Sequence, residues 1–245
     1  MAEWLAIDIG NSRIKWAVGR PGRWHDAGAC LLAEAPRVAL PAAARGLPAA
    51  ALNVAGAAGE ALLQAWESRL GRPICRITGR AQGGGVISGY HQPEQLGADR
   101  FAALVGARQR CRQNCLVVCA GSALTVDWLG ADGRHRGGLI LPGRSLMTQA
   151  VAQFSGVGQQ NENPAWPPAS TAAAVTAGTL YALAGAIERA WETFTAATGL
   201  PAQCFLTGGD AAWLKEHLNI AAEHAPDLIL DGLVTLAEET HPCER

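Results

Sequence analysis

Short runs of consecutive apolar residues along the chain alternate with longer stretches of helical spacing, and this alternation carries the fold prediction. Residues 4–8 form an apolar, strand-prone run, Gly10-Asn11-Ser12 makes a turn, and residues 13–18 alternate polar with apolar positions. Together they predict a hairpin. Residues 49–54 read as a buried strand, 60–70 as a helix and 73–77 as a return to strand. Helical spacing resumes in 92–112 after its first turn, with Phe101, Leu104, Val105 and Arg108 on one side, and this segment can bridge two halves.

The opening theme then recurs. Leu116-Val117-Val118 is an apolar strand, Gly121-Ser122 a turn, and 124–129 the run back out. Ile7-Asp8-Ile9-Gly10-Asn11-Ser12 and Val118-Cys119-Ala120-Gly121-Ser122 share a pattern of strand, any residue, glycine and small hydroxyl, about half a chain apart, as an internal duplication would leave. Downstream come a strand at 138–141, a turn at Pro142-Gly143, a helix to about residue 154 and a Gly-, Gln-, Asn- and Pro-rich loop or lid at 156–168. A long helix at 171–198, a strand at 204–207 and helices at 210–218 and 231–239 complete the chain. Alternating strands and helices predict the α/β class, divided into domains 1–105 and 106–245.

Composition narrows the partners. With 49% hydrophobic and 17% charged residues the 245-residue chain is too apolar to be disordered, and a net charge of −1 without a Lys/Arg cluster gives no footprint for a nucleic acid. No basic leader with a cleavage site opens the sequence and no apolar run approaches the roughly 20 residues of a membrane span, so neither membrane nor export is expected, and the cytoplasm is. Seven cysteines, an odd count without a CxxC pair, predict reduced thiols. Cys111, Cys115 and Cys119 recur every four residues, but the strand-like 116–118 run breaks the helix that a metal stripe would need.

Three segments could carry chemistry. In Asp8-Ile9-Gly10-Asn11-Ser12-Arg13-Ile14-Lys15 a carboxylate ends a buried strand, where it is poorly solvated without a metal or donors, and the glycine lets backbone N–H groups approach a phosphate; an ordinary hairpin turn explains the same residues. In Thr207-Gly208-Gly209-Asp210 a glycine pair between strand and helix gives a flat base or ribose room, although Asp210 could serve only as a helix cap. In Gly97-Ala98-Asp99-Arg100, downstream of Gly89-Tyr90, the carboxylate could accept an alcohol proton and the guanidinium could hold a substrate carboxylate, where a surface ion pair is the plainer account. Neither a Walker A loop nor a GxSxG, HExxH or kinase HRD set is present, and the six histidines are scattered and read as surface or structural residues.

In order across nearly the whole chain, Asp8-Ile9-Gly10-Asn11-Ser12, Gly97-Ala98-Asp99-Arg100, Gly121-Ser122-Ala123, Gly137-Gly138-Leu139-Ile140-Leu141-Pro142-Gly143 and Thr207-Gly208-Gly209-Asp210 resemble the type III pantothenate kinases. The resemblance implies the fold of sugar kinases, heat-shock ATPases and actin: two duplicated ribonuclease-H-like domains with a nucleotide cleft between them, in a homodimer. It implies phosphoryl transfer from ATP or another nucleoside triphosphate, with Mg²⁺, to pantothenate, giving 4′-phosphopantothenate at the entry to coenzyme A synthesis. Asp8, Ile9, Gly10, Asn11, Ser12, Arg13, Ile14 and Lys15 would then be the first phosphate loop, Asp8 positioning Mg²⁺ through water, and Asp99 the general base. Tyr90, Gly97, Ala98, Arg100 and Thr171 would line the pantothenate pocket, Ser122 would contact the ATP phosphates, and Gly208 and Gly209 would face the adenosine.

Two departures stand out. Where the family carries Asp-x-Gly-Thr this chain has Cys119-Ala120-Gly121-Ser122, so the position that holds K⁺ or NH₄⁺ has a thiol in place of its carboxylate, which weakens that cation site. Two alternatives follow: a kinase of another small alcohol, or a nucleotide-binding regulatory protein on the same fold.

Overall fold

The computed structural model describes residues 2–157, 166–199 and 202–240. The described residues fall into two compact units, those within 1–112, 130–136 and 227–245, and those within 113–129 and 137–226.

In the first unit, β1 (Trp4–Ile9), β2 (Arg13–Arg20), β3 (Arg23–Leu31), β4 (Ala49–Asn53) and β5 (Cys75–Ile77) form one sheet in the order β3-β2-β1-β4-β5. β1 is antiparallel to β2 and parallel to β4. Its alternate residues serve two faces. Leu5, Ile7 and Ile9 pack with Leu62, Leu63 and Trp66 of helix α1 (Gly56–Leu70), so Trp4, Ala6 and Asp8 belong to the opposite face. That face carries the unit's other helices, α2 (Ala98–Arg110) and α6 (Leu228–Thr240).

The two helices cross with their backbones touching. A β-carbon on Gly106 would lie 2.0 Å from the Leu228 carbonyl oxygen, and one on Gly232 would lie 1.8 Å from that of Ala102. Neither position tolerates a side chain without the helices parting. Next to Gly232, the buried Asp231 carboxylate accepts hydrogen bonds from the Gly22 amide at 2.9 Å, the Trp24 indole at 2.7 Å and the Arg110 guanidinium at 2.8 Å. One carboxylate thus ties the β2–β3 turn and α2 to α6.

The second unit repeats the sheet. β8 (Asn114–Ala120), β9 (Ala123–Leu129), β10 (His135–Pro142), β11 (Ala202–Thr207) and β12 (Ala222–His224) take the order β10-β9-β8-β11-β12, after the short β6 (Gln82–Gly83) and β7 (Val86–Ile87) of the first unit. Leu116, Val118 and Ala120 pack with Leu180, Leu183 and Ile187 of α4 (Thr171–Thr198) and with Ala211 and Leu214 of α5 (Ala211–Lys215). α3 (Arg144–Ser155) follows β10. Matching strand orders bear out the duplicated α/β reading.

Several details differ from the expectations, the unexpected short strands β6 and β7 among them. β3 and β12 were not expected, because β3 mixes exposed and half-buried positions without apolar alternation and β12 is a largely exposed three-residue edge. The helix expected at 210–218 shortens to Ala211–Lys215. The boundary expected at 105/106 lies within α2, and α6 returns the chain to the first unit. Most of the loop or lid expected at 156–168 lies outside the described residues, as does Cys243.

Replacing a helical glycine by alanine ordinarily stabilises a helix by up to about 1 kcal/mol. At Gly232 the sign should reverse: Gly232→Ala should cost about 1–3 kcal/mol, as overpacked contacts do. Urea unfolding measures it, and an unchanged or raised midpoint would show that the crossing can relax.

Candidate active site

The β1–β2 turn follows from its sequence. Ile9 pairs with Ile14, and the Gly10 amide donates to the Arg13 carbonyl at 2.9 Å, which leaves Asn11 and Ser12 exposed at the tip. The register sets Asp8 directly across from Lys15. Asp8 therefore shares its face of the sheet with α2, whose first turn carries Asp99. Burial pushes the Asp8 carboxyl up to about 7, the Asp99 charge adds to the rise, and the Lys15 ammonium opposes it. Asp99 is held in its turn: one oxygen accepts from the Arg100 amide at 2.8 Å. A β-carbon at Gly97 would come within 2.6 Å of that oxygen, so the glycine provides its space.

Behind Asp99 lies a polar anchor. Arg100 is 5% exposed, and its guanidinium donates to the Tyr90 hydroxyl at 3.0 Å and sits 5.6 Å from that ring's centroid. On its other flank Tyr90 meets the ring of His135 at 5.3 Å. A side chain at Gly89 would run into the His135 carbonyl, at 1.9 Å, so glycine is required for that approach. Gly89, Tyr90, His91, Gln92 and Gln95 line a recess of about 370 Å³, within the range of small-molecule sites. Ala98 and Gly97 open α2 beside this group.

The second unit gathers three loops. The Gly143 amide donates to the Ser122 carbonyl at 2.8 Å, and the Asp210 amide donates to the Ala120 carbonyl at 3.1 Å. Gly208, at φ +102°, leaves room for Ala120, whose carbonyl oxygen a β-carbon would meet at 2.2 Å, whereas one at Gly209 would meet nothing within 4 Å. Asp210 occupies the cap position of α5 but makes no side-chain capping bond, so the cap reading falls away. Thr171, in the second unit, begins α4 and lines an apolar groove of about 550 Å³ with Leu146, Met147 and Val175. Cys119 sits in β8 in register with Thr125 of β9 and Thr207 of β11. Cys111, Cys115 and Cys119 form no helical stripe, and among the described residues no three His, Cys, Asp or Glu side chains gather as a metal cluster.

A family model described as type III pantothenate kinase matches residues 4–193. A protein of that name from Aromatoleum aromaticum is 41% identical over 243 residues, covering 96% of this chain and 98% of its own. The chain belongs to the type III pantothenate kinase family. Two solved structures share the fold at low identity. A conserved member of the Baf family of transcriptional activators from Campylobacter jejuni aligns with a TM-score of 0.64 at 20% identity, over 97% of this chain and 99% of the other. The inorganic polyphosphate/ATP-glucomannokinase of Arthrobacter sp. strain KM aligns with a TM-score of 0.50 at 15% identity, over 98% and 100%. The sugar kinase and actin-like fold is thereby shown.

Arg144 and Trp213, which stack on each other in the second unit, escaped the sequence reading, whereas His135, buried against Tyr90, fits the structural reading given to the histidines. Neither Arg144 nor Trp213 sits in a motif that spacing would flag.

Asp8 gives a pH prediction. Its folded carboxyl keeps a proton up to about 7, whereas its ordinary value is 3.8, so between these values the native state binds more protons than the unfolded state. Stability therefore falls as pH climbs through that window. In metal-free buffer Asp8→Asn should escape this penalty and stabilise the kinase by roughly 1–3 kcal/mol at pH 8, within the ~1.36 kcal/mol per pKa unit that the shift allows, and far less near pH 4. Thermal unfolding at the two pH values tests it; equal differences at both would remove the electrostatic account.

Proposed function

We propose that the protein transfers the terminal phosphoryl group of ATP to the 4′-hydroxyl of pantothenate, the first step of coenzyme A synthesis. The observation that carries the reading is the meeting of Asp8 and Asp99 in the first unit, with the Tyr90–Arg100 anchor on the same helix start. Asp99 is the general base: it takes the proton of the attacking hydroxyl, and its bond to the Arg100 amide keeps the carboxylate oriented. Arg100 holds the pantothenate carboxylate, Tyr90 fixes the guanidinium, and Gly97, Ala98 and Thr171 contribute to the pocket. The turn from Asp8 to Lys15 receives the terminal phosphates, Ser122 supports the rest of the chain of phosphates, and Gly208 and Gly209 lie along the adenosine.

Magnesium fits this donor set. Two neighbouring carboxylates that repel each other, one lifted to about 7, favour a hard divalent cation, and Mg²⁺ usually needs only one or two carboxylates besides phosphate oxygens and water. Asp8 would position it through water, and Mg²⁺ would supply neutralisation of the phosphate charge. A monovalent cation does not fit at Cys119, because a hard cation takes oxygen ligands and a thiol is a soft one. Pairing with a second copy is also proposed; it is supported by the exposed apolar Ile140, Leu146 and Phe154, which are 64%, 47% and 82% exposed. A cytoplasmic location suits the chemistry, and no described helix is long and apolar enough to cross a membrane.

The decisive experiment is a coupled assay of purified protein with ATP, Mg²⁺ and pantothenate. In it Asp99→Asn should retain ATP binding and lose about 100-fold or more in turnover, as general-base loss commonly does. Arg100→Ala should raise KM for pantothenate far more than for ATP, with lysine a partial substitute. Wild-type turnover in Asp99→Asn, or equal effects of Arg100→Ala on both substrates, would reassign these residues.

Cys119 gives a separate expectation. Without the carboxylate the site lacks both a negative charge and the cation that would balance it, so the two losses offset each other for a phosphate ligand. Across from Cys119, the Thr125 hydroxyl is buried without a hydrogen-bond partner among the described residues, an oxygen ready for a restored site. Wild-type turnover should respond weakly to K⁺ at constant ionic strength, and Cys119→Asp should gain K⁺ activation. A strict K⁺ requirement in the wild type would mean that other oxygens, Asp127 among them, complete the site.

A further inference from the structure

Arg144 presents an arrangement that the reaction described above does not use. It is the first residue of α3, directly after Gly143, whose amide bonds to Ser122. Its guanidinium carbon lies 4.2 Å from the centre of the Trp213 ring, close enough for the planar group to rest on the indole face. Its carbonyl accepts from the Thr148 hydroxyl at 3.0 Å, while among the described residues its guanidinium makes no hydrogen bond or ion pair and rests on the stack. Its charge is felt by Asp210, where it opposes the rise that burial gives that carboxyl, yet the two do not close to a salt bridge. Trp213 is itself backed by His217, whose ring is 5.5 Å away and which bonds to the Trp213 carbonyl at 2.8 Å. The platform is therefore built from the inside out: His217, then Trp213, then the guanidinium.

Its position is what gives it a role. Trp213 lies one turn of chain past Gly208-Gly209, the space beside Gly209 is open, and Arg144 is half-buried, so one guanidinium face is spent on Trp213 while the residue still reaches solvent. All of these groups belong to the second unit, around the same Ala120–Ser122 loop.

We propose that the Arg144–Trp213 stack is the nucleobase platform of this kinase, and that it holds the base of the nucleoside triphosphate by its π-face while leaving the base edge unread. A guanidinium plane stacks on any aromatic ring, and every base offers such a face. Edge discrimination needs donors and acceptors fixed at the Watson–Crick positions, whereas a stack engages the face of a base. The enzyme should accept purine nucleotides with little preference. This inference rests on a nucleoside triphosphate being the phosphoryl donor, and it does not depend on pantothenate being the acceptor.

Isothermal titration of the full chain with the non-hydrolysable analogues AMP-PNP and GMP-PNP, in Mg²⁺, tests it directly. Wild-type affinities should agree within about five-fold, and Arg144→Ala should weaken both by about ten-fold or more, in line with the effect of removing one stacking partner. Arg144→Lys should be nearly as weak, since it keeps the charge and loses the plane. KM for pantothenate should not move in either variant. Full affinity in the lysine variant would show that Arg144 acts as a phosphate-directed charge and would overturn the stack. A preference above about 100-fold for adenine in the wild type, no binding of either analogue by the wild type, or unchanged affinity in folded Arg144→Ala would overturn it as well. If Arg144→Ala does not fold, the lysine variant and the wild-type base comparison decide. Weakened analogue binding by the variants, with no pantothenate turnover by the wild type, would sink the acceptor assignment and leave the platform standing.

Discussion

Everything proposed for the first unit depends on the backbone contact between α2 and α6. Gly106 and Gly232 let the two helices approach until carbonyls replace side chains at the crossing, and Asp231 ties the β2–β3 turn and Arg110 to the same junction. That contact fixes where α2 begins. Asp99 and Arg100 occupy its first turn, so their placement in the unit follows from the helix crossing. Such an arrangement is needed because the carboxylates repel each other. Two like charges are kept together only where the surrounding structure over-determines them, and the Asp8 carboxyl is raised first by burial and further by the Asp99 charge.

The duplicated sheets show how the two units have diverged around one plan. Asp8 and Cys119 hold the same place in their sheets, each near the end of the central strand, each facing a hairpin partner and a parallel neighbour in register. In the first unit the cross-strand partner is Lys15, and the site carries charge. In the second it is Thr125, flanked by Thr207, and hydroxyls stand where the first unit has its ammonium. The second unit contributes shape through Gly143, Gly208 and Gly209, and aromatic surface through Trp213. Phosphoryl transfer relies on positioning and charge neutralisation, and both kinds of group are present across the two units.

What the sequence disclosed follows from this plan. Central strands such as β1 and β8 are buried on both faces and read as apolar runs, and the glycine turns after them reveal the duplication. Edge strands leave no such trace: Arg23–Leu31 needs only half of its residues covered, and its pairing is dictated by β2. The return of α6 to the first unit is equally silent, because the contact that holds it is made by absent side chains at Gly106 and Gly232. Of the site, Asp8, Asp99 and Arg100 were legible as charged residues in segments otherwise built for turns or cores. His135 was legible only as a surface or structural residue. Its role is to be buried beside Tyr90, and burial of one histidine in a polar stretch is settled by the tertiary fold.

The same logic explains why Arg144 was missed and why it bears on donor choice. In sequence it is one more arginine after a Pro-Gly turn; only folding brings Trp213 beneath it. A stacked arginine without fixed hydrogen bonds is a poor structural element, since an exposed cation–π contact contributes only about 0.5–1 kcal/mol and its long side chain must be ordered to make it. A ligand that covered the second guanidinium face would desolvate the pair and strengthen it. The arrangement is thus better suited to the bound state than to the free one, which is the direction of preorganisation expected of a binding surface and not of a core contact.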